Sequence, residues 1–124
     1  MHNYKKLQIW IDAINLTQEV YEITESIPQH EKWGIISQMT RAAVSIPSNI
    51  AEGSARTKKD FVHFLSIALG SLFELNTQII IAERIGYITD KQSDSLQNKM
   101  EPLQKMIFGF MQNLSKDGSE PIVL

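Results

Sequence analysis

The sequence predicts an all-α protein: an antiparallel, up-down-up-down four-helix bundle. Three observations predict it. Apolar residues recur at the three-and-four spacing of a helix face in four successive stretches. The breaks between them are short and marked by proline, glycine or capping residues. No convincing stretch alternates polar and apolar side chains as a half-buried strand would. At 124 residues the chain fits a single domain, with a loosely held tail expected from about residue 115, where Gly118 and Pro121 follow.

The first helix is expected over residues 7–27. Leu7, Trp10, Ile14, Thr17 and Tyr21 follow one line, and Ile9, Ala13, Leu16, Val20, Ile23 and Ile27 widen it. Asp12, Asn15, Glu19, Glu22 and Glu25 occupy the remaining arc, and Pro28 ends the hydrogen-bond ladder. The second helix is expected from about Glu31, an acid at the positive end of the dipole, with Ile35, Ile36, Met39, Ala43, Ile46 and Ile50 on its apolar line. Pro47 lies inside it and predicts a kink or short break, although the apolar period keeps its phase and favours one bent helix. Gly53, in a left-handed conformation, is the expected stop.

Thr57 and Asp60 form a capping signal for the third helix, which runs to about Gly86 along Phe61, Leu65, Ala68, Leu72, Leu75, Ile79 and Ala82. Val62, Ile67, Phe73, Ile80 and Ile81 lie off this seam, and Glu74 is the one formally charged residue between Phe61 and Ala82. A helix apolar on most sides is buried on most sides. Its length would span a bilayer, but His63, Glu74, Asn76 and Gln78 are costly in lipid. The expectation is no membrane, and a central helix whose second face packs against another subunit. Thr89 and Gln92 open the fourth helix, where Leu96, Met100, Leu103, Ile107, Phe110 and Leu114 repeat in heptad fashion and Pro102 should bend the helix or restart it.

Composition limits the chemistry. The chain has no cysteine, which excludes disulfides, thiolate catalysis and cysteine-based zinc sites and points to a reducing, cytoplasmic setting. Net charge is −2 and pI about 5.9, so nucleic-acid contact would need a local basic patch. Dinucleotide, phosphate-loop, zinc-protease and serine-hydrolase signatures do not occur, and His2, His30 and His63 lack ligand spacing. The expectation is a non-enzymatic protein with no metal and no cofactor.

Three groups of residues need an account. Glu74 reads either as a general base raised by burial or as a structural acid paired with Arg41 or another cation, and the absence of an accompanying nucleophile favours the second. Arg41, Ser45, Asn49 and Glu52 form a polar line on the second helix. It is either a plain exposed face or, as preferred, a buried network reaching Glu74 that fixes helix register or subunit pairing. Arg56, Lys58 and Lys59 cluster at the turn between helices two and three, as a solvated loop or as a phosphate-contacting patch.

Glu31-x-Trp33-Gly34, the run Ser37 to Gly53 with its S-I-P-S-N-I-A-E-G core, and Phe64-Leu65-x-Ile67-Ala68-x-Gly70-Ser71-x-x-Glu74-Leu75 resemble the 23S rRNA intervening-sequence family of four-helix-bundle proteins. Leu7-x-x-Trp10 and Val20-Tyr21 also fit, so the resemblance covers roughly residues 4–88. It implies a ring-shaped homopentamer of bundles, in a family many of whose members have no assigned biochemical role. A related branch, the accessory variability determinants of diversity-generating retroelements, binds nucleic acid and a reverse transcriptase through a strongly basic surface. The mild acidity of this chain departs from that branch, as do Asn76 after Glu74-Leu75 and Pro102. The resulting expectation is a homo-oligomeric scaffold that accompanies RNA, DNA or a nucleic-acid-processing protein. The alternative is a protein–protein interaction module with no nucleic-acid role.

Overall fold

A computed structural model describes residues 2–116, so the expected loose tail lies almost wholly outside the described residues. Four α-helices account for the fold: α1 (Gln8–Thr24), α2 (Ile35–Ser54), α3 (Lys58–Arg84) and α4 (Asp90–Ser115). Single 3-10 turns at Tyr4–Lys6 and Gln29–Glu31 precede α1 and α2, and no strand occurs among the described residues. α1 packs on α2 and α4, and α3 packs on the same two helices, with the α2–α3 contact the most extensive. The four helices therefore close around one core.

The core follows the predicted seams, except that α1 buries only one of its two lines, Ile35 and Ile36 of α2 are partly buried, and Met111 takes the place expected for Phe110 on α4, whose ring is partly buried. Ile9, Ala13, Leu16, Val20 and Ile23 face inward from α1, whereas Ile14 and Tyr21 of the other line are exposed. The uninterrupted aliphatic line wins the interior, because a line carrying Thr17 and Tyr21 offers less apolar area and two hydroxyls to satisfy. Met39, Ala43, Ile46 and Ile50 meet it from α2, and the seven seam residues of α3 are all buried. α4 adds Leu96, Met100, Leu103, Ile107, Met111 and Leu114. On the rim, Glu19 ties α1 to α4 by accepting from Ser95 Oγ at 2.7 Å and from Lys99 Nζ at 3.3 Å.

Pro47 neither splits α2 nor leaves an orphan acceptor. The helix continues from Ile35 to Ser54, and the proline is buried within it. Proline removes the donor that would have reached the Ala43 carbonyl. Thr17 Oγ1 of α1 lies 3.1 Å from that carbonyl and 2.8 Å from the Ala13 carbonyl of its own helix, so one hydroxyl proton is shared between the two and the vacancy becomes an interhelical contact. α4 likewise runs unbroken through Pro102, which is exposed.

Two boundaries differ from expectation. α2 starts at Ile35, not Glu31. Glu31 ends a 3-10 turn and accepts a 2.8 Å hydrogen bond from Tyr87 Oη, so it joins loops and does not cap a dipole. Gly53 does not stop α2, since the helix extends through Ser54 and Gly86 is the positive-φ residue of the described chain. A Cβ at Gly53 would lie 2.7 Å from Phe64 Cβ and 2.8 Å from Phe61 Cδ1, so glycine is required for close helix approach. Gly86, at φ 84°, closes α3, with the Tyr87 amide donating back to the Ala82 carbonyl at 2.9 Å. Both capping signals form: Thr57 Oγ1 accepts from the Asp60 amide, and Thr89 and Gln92 make a complete reciprocal box.

α3 is long and apolar enough to cross a membrane by length and composition. Its seam packs against α2 and α4, which is how a core helix acquires the same composition.

Candidate nucleic-acid interface

The turn between α2 and α3 is three residues, Ala55, Arg56 and Thr57, so the C-terminus of one helix and the N-terminus of the next share one end of the bundle. Arg56 Nη2 pairs with Glu52 Oε1 at 3.2 Å, and its guanidinium lies 5.2 Å from the centre of the Phe64 ring. Both partners are about half exposed, at 48% and 54%, so the pair adds little stability. Lys58 and Lys59 are exposed in the first turn of α3.

An aromatic cluster brings two further segments to this end. The His2 amide donates to the Ser54 carbonyl at 3.2 Å. The His2 ring stands edge-on to Phe61 at 5.4 Å and to Phe110 at 5.8 Å, and those two phenyl rings are 5.4 Å apart. The N-terminal segment and the end of α4 are thereby pinned to the α2–α3 corner. Lys5, Lys6 and Lys116 join Arg56, Lys58 and Lys59, which is half of the 12 Lys and Arg residues in the chain. Among nearby acids, Glu52 is engaged by Arg56, and Asp60 lies in the first turn of α3.

Helix dipoles sort these cations. Arg56 and Lys116 follow helix C-termini, where positive charge is favoured. Lys5, Lys6, Lys58 and Lys59 precede or open α1 and α3, whose positive ends oppose them. α1 has no acidic residue in its first turn and no side-chain cap. Four lysines thus lie beside two helix N-termini, and Thr57 and Asp60 supply the cap and the acid of the first turn at the start of α3.

The other end has the opposite character. Tyr87 joins the α3–α4 turn to Glu31, and its ring meets His30. The hydrogen bond to Glu31, with partial desolvation and the charge on that carboxylate, holds the Tyr87 phenol above its ordinary value of 10.0. Glu22, Glu25, Glu83 and Asp90 lie on the helix turns around it, and Trp33, 84% exposed, stands beside Lys32. Both ends carry aromatic rings, but cations prevail at one, whereas at the other Glu22, Glu25, Glu31, Glu83 and Asp90 outnumber Lys32, Arg84 and Lys91.

The family model for the 23S rRNA-intervening sequence protein matches residues 5–109. The chain belongs to this family. A crystal structure of an S23 ribosomal protein family member from Bacteroides thetaiotaomicron, itself of unknown function, superposes with a TM-score of 0.75. The two share 21% identity over 84% of this chain and 98% of the other, a likeness of fold alone. No curated protein gives a significant match.

The family match spans the polar line of α2, and the structure divides that line into separate contacts. Ser45 Oγ meets Ser71 Oγ at 2.8 Å across the α2–α3 contact, and Asn49 Nδ2 donates to the Ser45 carbonyl at 2.7 Å and to its Oγ at 2.9 Å. These three side chains are partly buried and form one hydrogen-bonded group across the α2–α3 contact. Glu52 turns to Arg56 instead. Glu74 is exposed in the protomer and accepts from Gln78 Nε2 at 3.2 Å. Arg41 is also exposed, and no ion pair joins it to Glu74 among the described residues. Within one chain, two of the five expected network residues, Ser45 and Asn49, join Ser71 in one group, and Arg41, Glu52 and Glu74 lie outside it.

Sequence reasoning missed Ser71, Lys5, Lys6 and Lys116 as participants. An antiparallel assignment carried one step further would have placed the N-terminal segment and the end of the fourth helix beside the Arg56–Lys59 turn.

Proposed function

We propose that this protein is a non-enzymatic, homo-oligomeric scaffold of up-down-up-down bundles that contacts structured RNA through its basic end. The family resemblance implies a pentameric ring. The observation that carries the reading is the convergence of Lys5, Lys6, Lys58 and Lys59 on the N-terminal ends of α1 and α3, where the helix dipole opposes a cation. Such a patch supplies phosphate contacts despite an overall charge of −2. The alternation of helix direction is supported where α2 meets α3: Gly53 lies against Phe64, Ser45 bonds Ser71, and Glu31 before α2 meets Tyr87 after α3, so sequence falls along one helix as it rises along the other.

Fluorescence anisotropy with a labelled structured RNA, titrated over a range of salt concentrations, tests the reading. The affinity should fall as salt rises, and Lys6→Glu with Lys59→Glu should weaken it at least about tenfold and flatten the salt slope. Absence of RNA binding at low salt overturns it. A second reading, a protein-docking module, draws on the opposite end, where Trp33 and Ile85 are both exposed. Unchanged RNA affinity in Trp33→Ala is expected under the first reading alone.

A further inference from the structure

We propose that the α2–α3 face is the surface on which a second copy of this chain docks, with Arg41 of one protomer paired to Glu74 of the next. This rests on the homo-oligomeric reading above and names the face and the contact that reading leaves open.

The outward side of α3 carries a second heptad line, His63, Ile67, Gly70, Glu74, Thr77 and Ile81, and every member is exposed. Such a 4-3 line is the pattern of a helix packed against a partner. Gly70 sits at its middle, and a Cβ there would have nothing within 4 Å. Glycine is a poor helix former, and within the protomer nothing at this position requires it. Between Ile67 and Glu74 it makes a notch that admits a side chain from a facing helix. Phe73, Ile80 and Val44 extend the exposed apolar surface on either side.

Charge complementarity identifies the occupant as another copy. Arg41 and Glu74 are opposite in sign, exposed, and not joined to each other as an ion pair. The Ser45–Ser71 hydrogen bond sets their relative height: one turn back along α2 is Arg41, and one turn on along α3 is Leu75, beside Glu74. The two charges therefore lie on neighbouring helices at nearly the same level of the bundle. Rotation about an axis parallel to the bundle moves one copy to the next without changing height. It brings the α2 flank of one copy to the α3 flank of its neighbour, level with it, and the contact repeats until the ring closes. Gln78 is buried and donates to Glu74 Oε1, which steadies the carboxylate on the docking side. The same symmetry turns every basic end to one side of the assembly, where weak phosphate contacts act together.

The mass of the full chain in solution, measured by light scattering on a size-exclusion column, tests this. Arg41→Glu and Glu74→Arg should each weaken assembly at least tenfold while circular dichroism keeps the helical signal, and the double charge swap should restore the wild-type mass. Gly70→Gln, which fills the notch at an open position, should dissociate the assembly without unfolding the protomer. An assembled wild type whose mass is unchanged by both single reversals and by Gly70→Gln overturns this face and leaves the oligomeric reading standing. Single reversals that dissociate but are not rescued by the swap overturn the Arg41–Glu74 pairing. A monomeric wild type removes both this proposal and the oligomeric part of the proposed function.

Discussion

At the basic end of the bundle, Gly53 lets α3 approach until Phe61 and Phe64 touch the α2 backbone, and His2 and Phe110 complete an aromatic plug. At the acidic end, a left-handed Gly86, a Tyr87–Glu31 hydrogen bond and a Thr89–Gln92 capping box join loops whose Ile27 and Ile88 reach into the core. Close ring packing is the mark of the first end, and hydrogen bonds between loops are the mark of the second. The difference assigns each end a tolerance. Packing can hold a set of mutually repelling lysines, because dispersion and burial are indifferent to charge a few ångströms away. A turn held by a tyrosine–carboxylate bond answers to protonation.

The two glycines give the largest way to break the comparison. Gly53→Ala forces a Cβ into Phe64 Cβ, which cannot swing aside, and should cost about 1–3 kcal/mol as overpacking. Gly86→Ala meets no atom and suffers only its left-handed φ, a cost of about 1 kcal/mol after the gain in unfolded-state entropy is set against it. Asparagine separates the causes. It tolerates the left-handed region, so Gly86→Asn should be milder than Gly86→Ala, while Gly53→Asn should be worse than Gly53→Ala. Urea midpoints of the four variants check this, and the same ranking at both ends would remove the distinction.

This contrast also explains what could be read from the sequence. The four helices, their apolar seams and the Thr57 and Thr89 caps follow from local periodicity and local hydrogen bonding, and these set the fold. In sequence, a helix-stopping glycine and a close-packing glycine look identical, and only the fold shows that Phe61 and Phe64 lie opposite Gly53. Glu74 drew a buried pairing because α3 is apolar nearly all round, and only the arrangement of α2 and α4 shows which side stays open. The Arg56–Lys59 part of the basic end was legible as neighbours in sequence. Lys5, Lys6 and Lys116 were not, because the aromatic plug that gathers them is a tertiary contact.

Lys59→Glu sharpens the comparison at the basic end alone. It replaces a cation at the positive end of the α3 dipole with an anion, so the fold should gain roughly 0.3–1 kcal/mol while RNA affinity falls. Stability and binding moving in opposite directions would mark the lysine as retained for a partner. A loss in both would mean that Lys59 supports the fold, and the phosphate reading would lose one of its residues.

The smallest effect belongs to the acidic end and depends on pH. The Tyr87 phenol donates to Glu31, and its pKa in the folded chain is raised above 10.0, first by that hydrogen bond. The folded state thus holds this proton more tightly than the unfolded state does. The contribution of the contact is complete below pH 10 and is lost as pH rises through the folded value, when a phenolate would face a carboxylate. Tyr87→Phe removes the donor at every pH. The wild type should therefore be slightly more stable than Tyr87→Phe near neutrality, and the gap should close on the alkaline side. Taking the difference between the two proteins cancels the titration of lysines common to both. A gap in urea midpoint that stays constant from about pH 8 to about pH 11 would assign the role of Tyr87 to ring packing against His30, and the acidic end would then be held by shape as the basic end is.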